Sequence, residues 1–401
     1  MIEYREYQPG DAEGYLRIHD QAFPPISLDY WQEWSKGPAT AAVAVEDGRV
    51  VGAVPFHLRD FRLRSDVTVP VAFEYSVCVD ESLRDRGVGS GMMAAAKRFL
   101  RGRCLAMMVF RGGEQSLGYR YYARNGHHDL LYIRPWVLRT RPPVSAQAVL
   151  RCSWEDFLGW EAEAVEVFRS AYAAYGGHPQ RHPGFYAPAL TTPQFLEVPL
   201  DLSVLYLRQN GTSGPLLGYA ILGQERNEPT LRLLEVATLG GNQAYALPLL
   251  ANYANMAADR HLDACVDMPD SAPYAGLLAP LGFESTPRSQ SSQMIMCHAL
   301  DPEGLAAACW RESPATARLE VLAWTPERQV TLHRAIATPR HKVILEMKEE
   351  TLTRLVCARL DLVAAWREER VTAVGASSAD IEAIAEALPF QAWTADYLEY
   401  I

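Results

Sequence analysis

Three short stretches of this 401-residue chain recur in order, and that recurrence constrains the fold more than any other feature. Asp47-Gly48-Arg49-Val50-Val51-Gly52-Ala53-Val54 is echoed by Gly214-Pro215-Leu216-Leu217-Gly218-Tyr219-Ala220-Ile221. Glu74-Tyr75-Ser76-Val77 is echoed by Glu235-Val236-Ala237-Thr238, and Tyr122-Ala123-Arg124-Asn125-Gly126-His127 by Leu278-Ala279-Pro280-Leu281-Gly282-Phe283. The intervals are comparable, so residues 1–148 and 149–300 read as two copies of one unit. A chain of this length exceeds one ordinary core, which leaves room for a third region at 301–401.

Inside the first copy the pattern alternates between strand and helix. Residues 41–45, the turn Glu46-Asp47-Gly48-Arg49, and residues 50–58 read as a hairpin. Residues 72–79 read as a strand, and 92–101 as a helix with apolar positions at 92, 96, 99 and 100. A strand follows at 104–110, then a helical stretch closing on Tyr121 and Tyr122. Between the 72–79 strand and the helix lies Arg84-Asp85-Arg86-Gly87-Val88-Gly89. Closely spaced glycines let backbone N–H groups approach a ligand, and a helix N-terminus adds about half a positive charge. The combination is an anion-binding device. It has no Gly-Lys-Ser/Thr, and Met92 stands where the third glycine of a dinucleotide fingerprint belongs. The second copy carries Leu239-Gly240-Gly241-Asn242-Gln243 at the corresponding place and lacks the pattern. The first copy is therefore expected to bind an anion and the second to be structural.

Arg-x-x-Gly-x-Gly between a strand and a helix resembles the acetyl-CoA pyrophosphate loop of the GNAT superfamily of N-acetyltransferases. The hairpin before it and the aromatic-Tyr-x-x-x-Gly close after it stand in the order of that family. Two such copies followed by an α+β region resemble the Eis (enhanced intracellular survival) acetyltransferases. Met294-Ile295-Met296-Cys297-His298-Ala299-Leu300-Asp301 resembles their linker strand, and Trp393-Thr394-Ala395-Asp396-Tyr397 their tail. The resemblance covers the whole chain and implies an α/β (α+β) fold class: tandem GNAT folds, the second degenerate, then a sterol-carrier-protein-like α+β domain. One departure is Glu81, where many members have proline, so the loop is expected to enter at a different angle.

The same resemblance implies acetyl-CoA as co-substrate, with Val77, Cys78 and Val79 along pantetheine. Gly87, Val88, Gly89 and Ser90 would face the pyrophosphate, with Arg84 and Arg86 adding charge-assisted bonds. A side chain at Gly89 would then stand in the pyrophosphate's place. Tyr122 matches the family's general acid, although a core aromatic beside Tyr119 and Tyr121 would look alike. Two bases stay open. One is the terminal carboxylate of Ile401, where the sequence stops after Tyr397-Leu398-Glu399-Tyr400 with no trailing tail; the other is Glu74. Asp20, Asp29, Trp31, Glu33 and Trp34 would line an acidic, aromatic amine pocket or form an ordinary amphipathic helix, and Glu399 is a further candidate contact. A homo-oligomer, with a hexamer as its expected form, follows from the family alone. A non-catalytic acyl-CoA- or lipid-binding protein is the competing reading.

Other signals are bland. The net charge of −10 argues against nucleic acid or an anionic membrane as partner and mildly favours cationic substrates. No apolar run approaches the roughly 18 residues of a membrane span. Residues 1–5 read as a strand rather than a leader, so a cytoplasmic protein is expected. Seven scattered cysteines without Cys-x-x-Cys read as core residues. His178 and His182 are four apart, but Pro179 and Pro183 break the helix a metal pair would need, so no metal is expected. His127-His128 reads as surface at the mouth of the site, with a proton-shuttle role as the alternative. After 301, strands at 319–324, 330–336 and 341–347 precede a helix at 348–363. A last helix opens on Ser377-Ser378-Ala379-Asp380, a capping box.

Overall fold

The computed structural model describes residues 1–23, 25–34, 39–112, 116–139, 147, 149–186, 200–225, 229–285, 293–336, 338 and 341–396. Ile401 and Glu399 lie outside the described residues, as do the side chains of Glu33 and Trp34. The first copy runs β1 (Ile2–Glu6), α1 (Ala12–His19), α2 (Leu28–Trp34), β2 (Ala39–Glu46), β3 (Arg49–Arg64), β4 (Val67–Glu74) and β5 (Cys78–Val79). It continues with α3 (Val88–Leu100), β6 (Ala106–Gly112), α4 (Leu117–Arg124) and β7 (His128–Leu138). The β2–β3 hairpin turns on Asp47 and Gly48, whose φ angles of 49° and 78° suit the twist of a two-residue loop.

Two boundaries differ from expectation. The strand expected over 72–79 is broken: β4 ends at Glu74, Ser76 takes a φ of 37°, and β5 resumes against Gly52 and Ala53 of β3. Helix α3 begins at Val88 rather than 92, because Gly-Ser-Gly gives its first turn no apolar period. Met92 and Ala96 then face the sheet with no exposure.

The second copy contains β8 (Leu150–Cys152), α5 (Trp154–Leu158), α6 (Glu161–Ala171), β9 (His178–Pro179), β10 (Leu200–Arg208), β11 (Leu216–Glu225) and β12 (Thr230–Thr238). A helix at Gln243–Asp259, β13 (Asp263–Met268), a short helix at Ala275–Leu278, β14 (Glu284–Ser285) and β15 (Gln293–Ala299) complete it. The two copies share one sheet in the order β1-β2-β3-β4-β6-β15-β7-β13-β12-β11-β10-β8. The copies exchange strands where they meet. Strand β15, from the second copy by sequence, inserts between β6 and β7 of the first. The far half of β7, Arg134 to Leu138, in turn lies against β13 and β14 of the second.

In the third region a helix at Pro302–Cys309 precedes a four-stranded sheet, β17 (Gln329–His333), β16 (Leu319–Trp324), β18 (His341–Met347), β19 (Val371–Val374) in spatial order. The single helix expected over 348–363 is two, Glu349–Val356 and Leu362–Arg367, parted by Ala358 with a φ of 57°. The Ser377–Asp380 capping box opens a helix over Ser378–Ala387. This region covers the back of the first copy's sheet. Ile295, Cys297 and Ala299 of β15 share its core, whereas Met294 and Met296 turn toward α3 and α4. Alternation along one strand thus feeds two cores.

Candidate active site

Parallel pairing of β4 with β6 stops at Phe73 and Met108, and the chain then swings away through Ser76 to β5. The divergence opens a wedge at the head of α3. Asp80 anchors the turn out of β5: its carboxylate accepts from the Ser82 amide at 3.2 Å and from Arg17 of α1 at 2.8 Å. The Arg17 guanidinium and the Ser82 hydroxyl hold the Asp80 carboxyl down at about 2. Arg84, paired with Glu81 at 3.3 Å, and Arg86 stand exposed on the loop. The expected proline's place is taken by Glu81 at the start of a 3-10 turn, Glu81–Leu83.

The closely spaced glycines have different reasons. Gly87 has a φ of 80° and nothing within 4 Å of where a Cβ would stand. Its lack of a side chain also leaves the first turn of α3 without a side-chain cap. Uncapped N–H groups beside open space are what an anion needs. At Gly89 a Cβ would meet the Tyr121 ring at 2.9 Å. The Tyr121 hydroxyl donates to the Gly89 carbonyl at 2.9 Å, tying α4 to the head of α3.

Helix α4 ends in a Schellman turn. Gly126 takes a φ of 76°, its N–H bonds the Ala123 carbonyl at 3.1 Å, and the His127 N–H bonds the Tyr122 carbonyl at 3.0 Å. That geometry sets the Tyr122 and His127 rings edge to face with centroids 5.2 Å apart. His127 Nε2 lies 2.6 Å from Glu74 Oε1, and both side chains are wholly buried. Among the described residues, Glu74 Oε2 and His127 Nδ1 have no hydrogen-bond partner. His127 is therefore no surface residue; it joins Glu74 and Tyr122 in one cluster. The signal that could have found it is the spacing Tyr-x-x-x-Gly-His, which in a Schellman turn makes the first and last residues neighbours.

The corresponding places in the second copy carry different residues. Its Schellman turn is intact at Gly282, with Phe283 N–H bonding the Leu278 carbonyl at 3.0 Å, but leucine and phenylalanine replace tyrosine and histidine. Glu235 persists and is locked: its Oε1 accepts from Tyr219 at 2.5 Å and Tyr186 at 2.6 Å, and its Oε2 pairs with Arg181 at 2.6 Å. Burial pushes both phenols well above the ordinary tyrosine range. The helix at Gln243–Asp259 is capped by Asn242, which accepts from Ala244 N–H, while Ser170 takes the Gly240 N–H. Two of the amides at this turn are thus already used.

The other expected site residues scatter. Val77 and Val79 are half-buried at the wedge with buried Cys78 between them, and Val88 is buried beneath Gly89 and an exposed Ser90. Trp31 is a core residue, not an accessible wall: its indole N–H donates to the Tyr7 hydroxyl at 2.9 Å and its ring lies 4.0 Å from that of Tyr15. Asp20 is exposed at the end of α1. His178 is buried, its Nδ1 donating to the Pro179 carbonyl, and burial drives its imidazole down to about 3.

Residues 7–126 match the sequence profile of the acetyltransferase (GNAT) family. No curated protein matches the chain in sequence. Among solved structures, a conserved protein of unknown function from Enterococcus faecalis V583, described as a probable N-acyltransferase, is similar over 99% of this chain and 99% of its own. The identity is 12% and the TM-score 0.73. A GCN5-related N-acetyltransferase from Anabaena variabilis ATCC 29413 is similar over 98% of each chain, at 13% identity and a TM-score of 0.71. Eis1 from Mycobacterium abscessus is similar over 99% of this chain and 98% of its own, at 13% identity and a TM-score of 0.63. At these identities the likeness establishes a shared fold along the whole chain.

Proposed function

We propose, from the premise that residues 7–126 are a GNAT acetyltransferase domain and the chain an N-acetyltransferase, a direct transfer from acetyl-CoA to a primary amine. The acceptor would be a small molecule or a lysine side chain, attacking within a ternary complex. The observation that carries this reading is the open, uncapped head of α3 at Gly87 beside the Glu74–His127–Tyr122 cluster. Pyrophosphate would take the free N–H groups of Gly87 to Ser90, with Arg84 and Arg86 closing over it. Pantetheine would follow Val77 to Val79 into the wedge.

Chemistry sets the rest. An alkylammonium of pKa about 10.4 is roughly 3.4 units from losing its proton at pH 7, a cost near 4.6 kcal/mol, so a base is needed. His127 in its neutral form donates Nε2–H to Glu74, which leaves the Nδ1 lone pair to accept a proton while the carboxylate stabilises the imidazolium formed. Both groups are closed to solvent and Nδ1 has no partner among the described residues, so a bridging water or an opening of the site would have to bring the proton to it. Tyr122 protonates the departing CoA thiolate. The second copy and a sterol-carrier-protein-like third region act as scaffold, in a cytoplasmic homo-oligomer whose expected form is a hexamer; a monomer by light scattering would remove the assembly.

The test is acetyl-CoA turnover over polyamines, aminoglycosides and lysine peptides, read as release of the CoA thiol. We expect release that requires an amine, and Tyr122→Phe lowering kcat by about 10²-fold. Binding of acetyl-CoA with no turnover across the panel would favour a binding protein instead. Gly87→Val should weaken acetyl-CoA binding about 10-fold or more, since a branched side chain fits neither the left-handed backbone nor the space for phosphate. Unchanged affinity by calorimetry would displace the pyrophosphate from this loop.

A further inference from the structure

The turn that carries His127 is gripped from two sides. Lys97 of α3 donates through Nζ to the Asn125 carbonyl. From β15, His298 places Nδ1 2.8 Å from the Gly126 carbonyl. A carbonyl only accepts, so His298 carries its proton on Nδ1. Burial, with Lys97 and His127 beside it, drives the His298 imidazole down to about 3, and it is neutral at physiological pH. Its ring lies 5.8 Å from that of His127. Gly126 leaves little slack, because even a Cβ there would stand 3.3 Å from His298 Nδ1.

We propose that His298 is a positioning residue for acetyl transfer, its Nδ1–H holding the Gly126 carbonyl so that Tyr122 and His127 keep their places against Glu74. The idea rests on the reading of those three residues given above. The donor comes from the second copy by sequence, on the strand inserted into the first copy's sheet. Lys97 grips the adjacent carbonyl from about 14 Å along the helix whose head faces the phosphate. The bonded face of the turn is therefore set jointly by the phosphate helix and by the strand-exchanged half. A turn left free to shift by about 1 Å would misplace both catalytic rings, a displacement that can cost on the order of 10²-fold in rate.

The experiment compares His298→Ala, His298→Asn and His298→Gln in the full chain, using the fastest acceptor of the amine panel. Asparagine offers an N–H donor at nearly the reach of Nδ1; glutamine displaces it by one methylene. We expect His298→Ala and His298→Gln to lose about 10–10²-fold in kcat with KM for acetyl-CoA within about twofold, and His298→Asn to recover most of the loss. Wild-type kcat in His298→Ala would overturn the proposal, as would equal loss in all three variants with a lowered melting temperature, which marks a purely structural role. Tyr122→Phe and Glu74→Gln are measured alongside. If these two are inactive and His298→Ala is active, only the positioning role fails. If both are fully active, the underlying reading fails and the proposal with it.

Discussion

Glu74→Gln lowers kcat by about 10²–10⁴-fold and leaves acetyl-CoA affinity within about twofold. Glutamine keeps the shape of the buried side chain, and its carbonyl oxygen still accepts the His127 Nε2–H that now lies 2.6 Å away. The fold has no reason to change. Charge is what disappears: the imidazolium formed on proton uptake would face a neutral amide in a site closed to solvent. In the proposed reading acetyl-CoA would meet the head of α3, not Glu74, so its binding is expected to be spared. A second arm adds residues after Ile401. Should that extension abolish turnover while Glu74→Gln retains it, the base is the terminal carboxylate and the Glu74–His127 pair is structural.

Arg181→Met destabilises the second copy by about 3–5 kcal/mol without touching kcat. Both members of the Arg181–Glu235 pair are wholly buried, 2.6 Å apart, and the guanidinium lies 3.9 Å from the centre of the Phe168 ring and 4.3 Å from that of Phe185. Removing the arginine leaves a carboxylate in an apolar core held only by two phenols. The effect reads as a lower urea midpoint for unfolding of the chain, whose two copies share one sheet. Adding Glu235→Leu should restore much of the loss, since a buried ion pair often competes poorly with apolar side chains of similar size. A stability unchanged in Arg181→Met would mean that the Arg181–Glu235 pair does not hold the second copy together. A fall in kcat matching the fall in stability would give the second copy a catalytic part.

What the sequence displayed depended on the range of each interaction. The glycine turn before α3 and the Schellman turn are legible because each is closed by neighbours within six residues, and Gly87 and Gly126 mark them. The Ser377–Asp380 capping box is local in the same way. The break at Ser76 was hidden in Val71-Ala72-Phe73-Glu74-Tyr75-Ser76-Val77-Cys78-Val79, a run of strand formers with no glycine or proline to interrupt it. His127 passed for a surface residue because its partner, Glu74, lies 53 positions away. Trp31 reads equally as pocket wall or core until Tyr7 and Tyr15 are seen to enclose it. The repeat announced two copies, yet nothing in periodicity says that they trade strands.

That trade has a consequence for the order in which the protein is made. Strand β6 ends at Gly112, and the strand that covers its far side ends at Ala299. A chain emerging N-terminus first, at about 5–20 residues per second, therefore exposes that edge for about 10–40 s before its neighbour exists. The first copy's sheet lacks this neighbouring strand as it leaves the ribosome. It waits, open along a hydrophobic edge, for residues 293–299 to be translated, and is a natural client for chaperones during that interval.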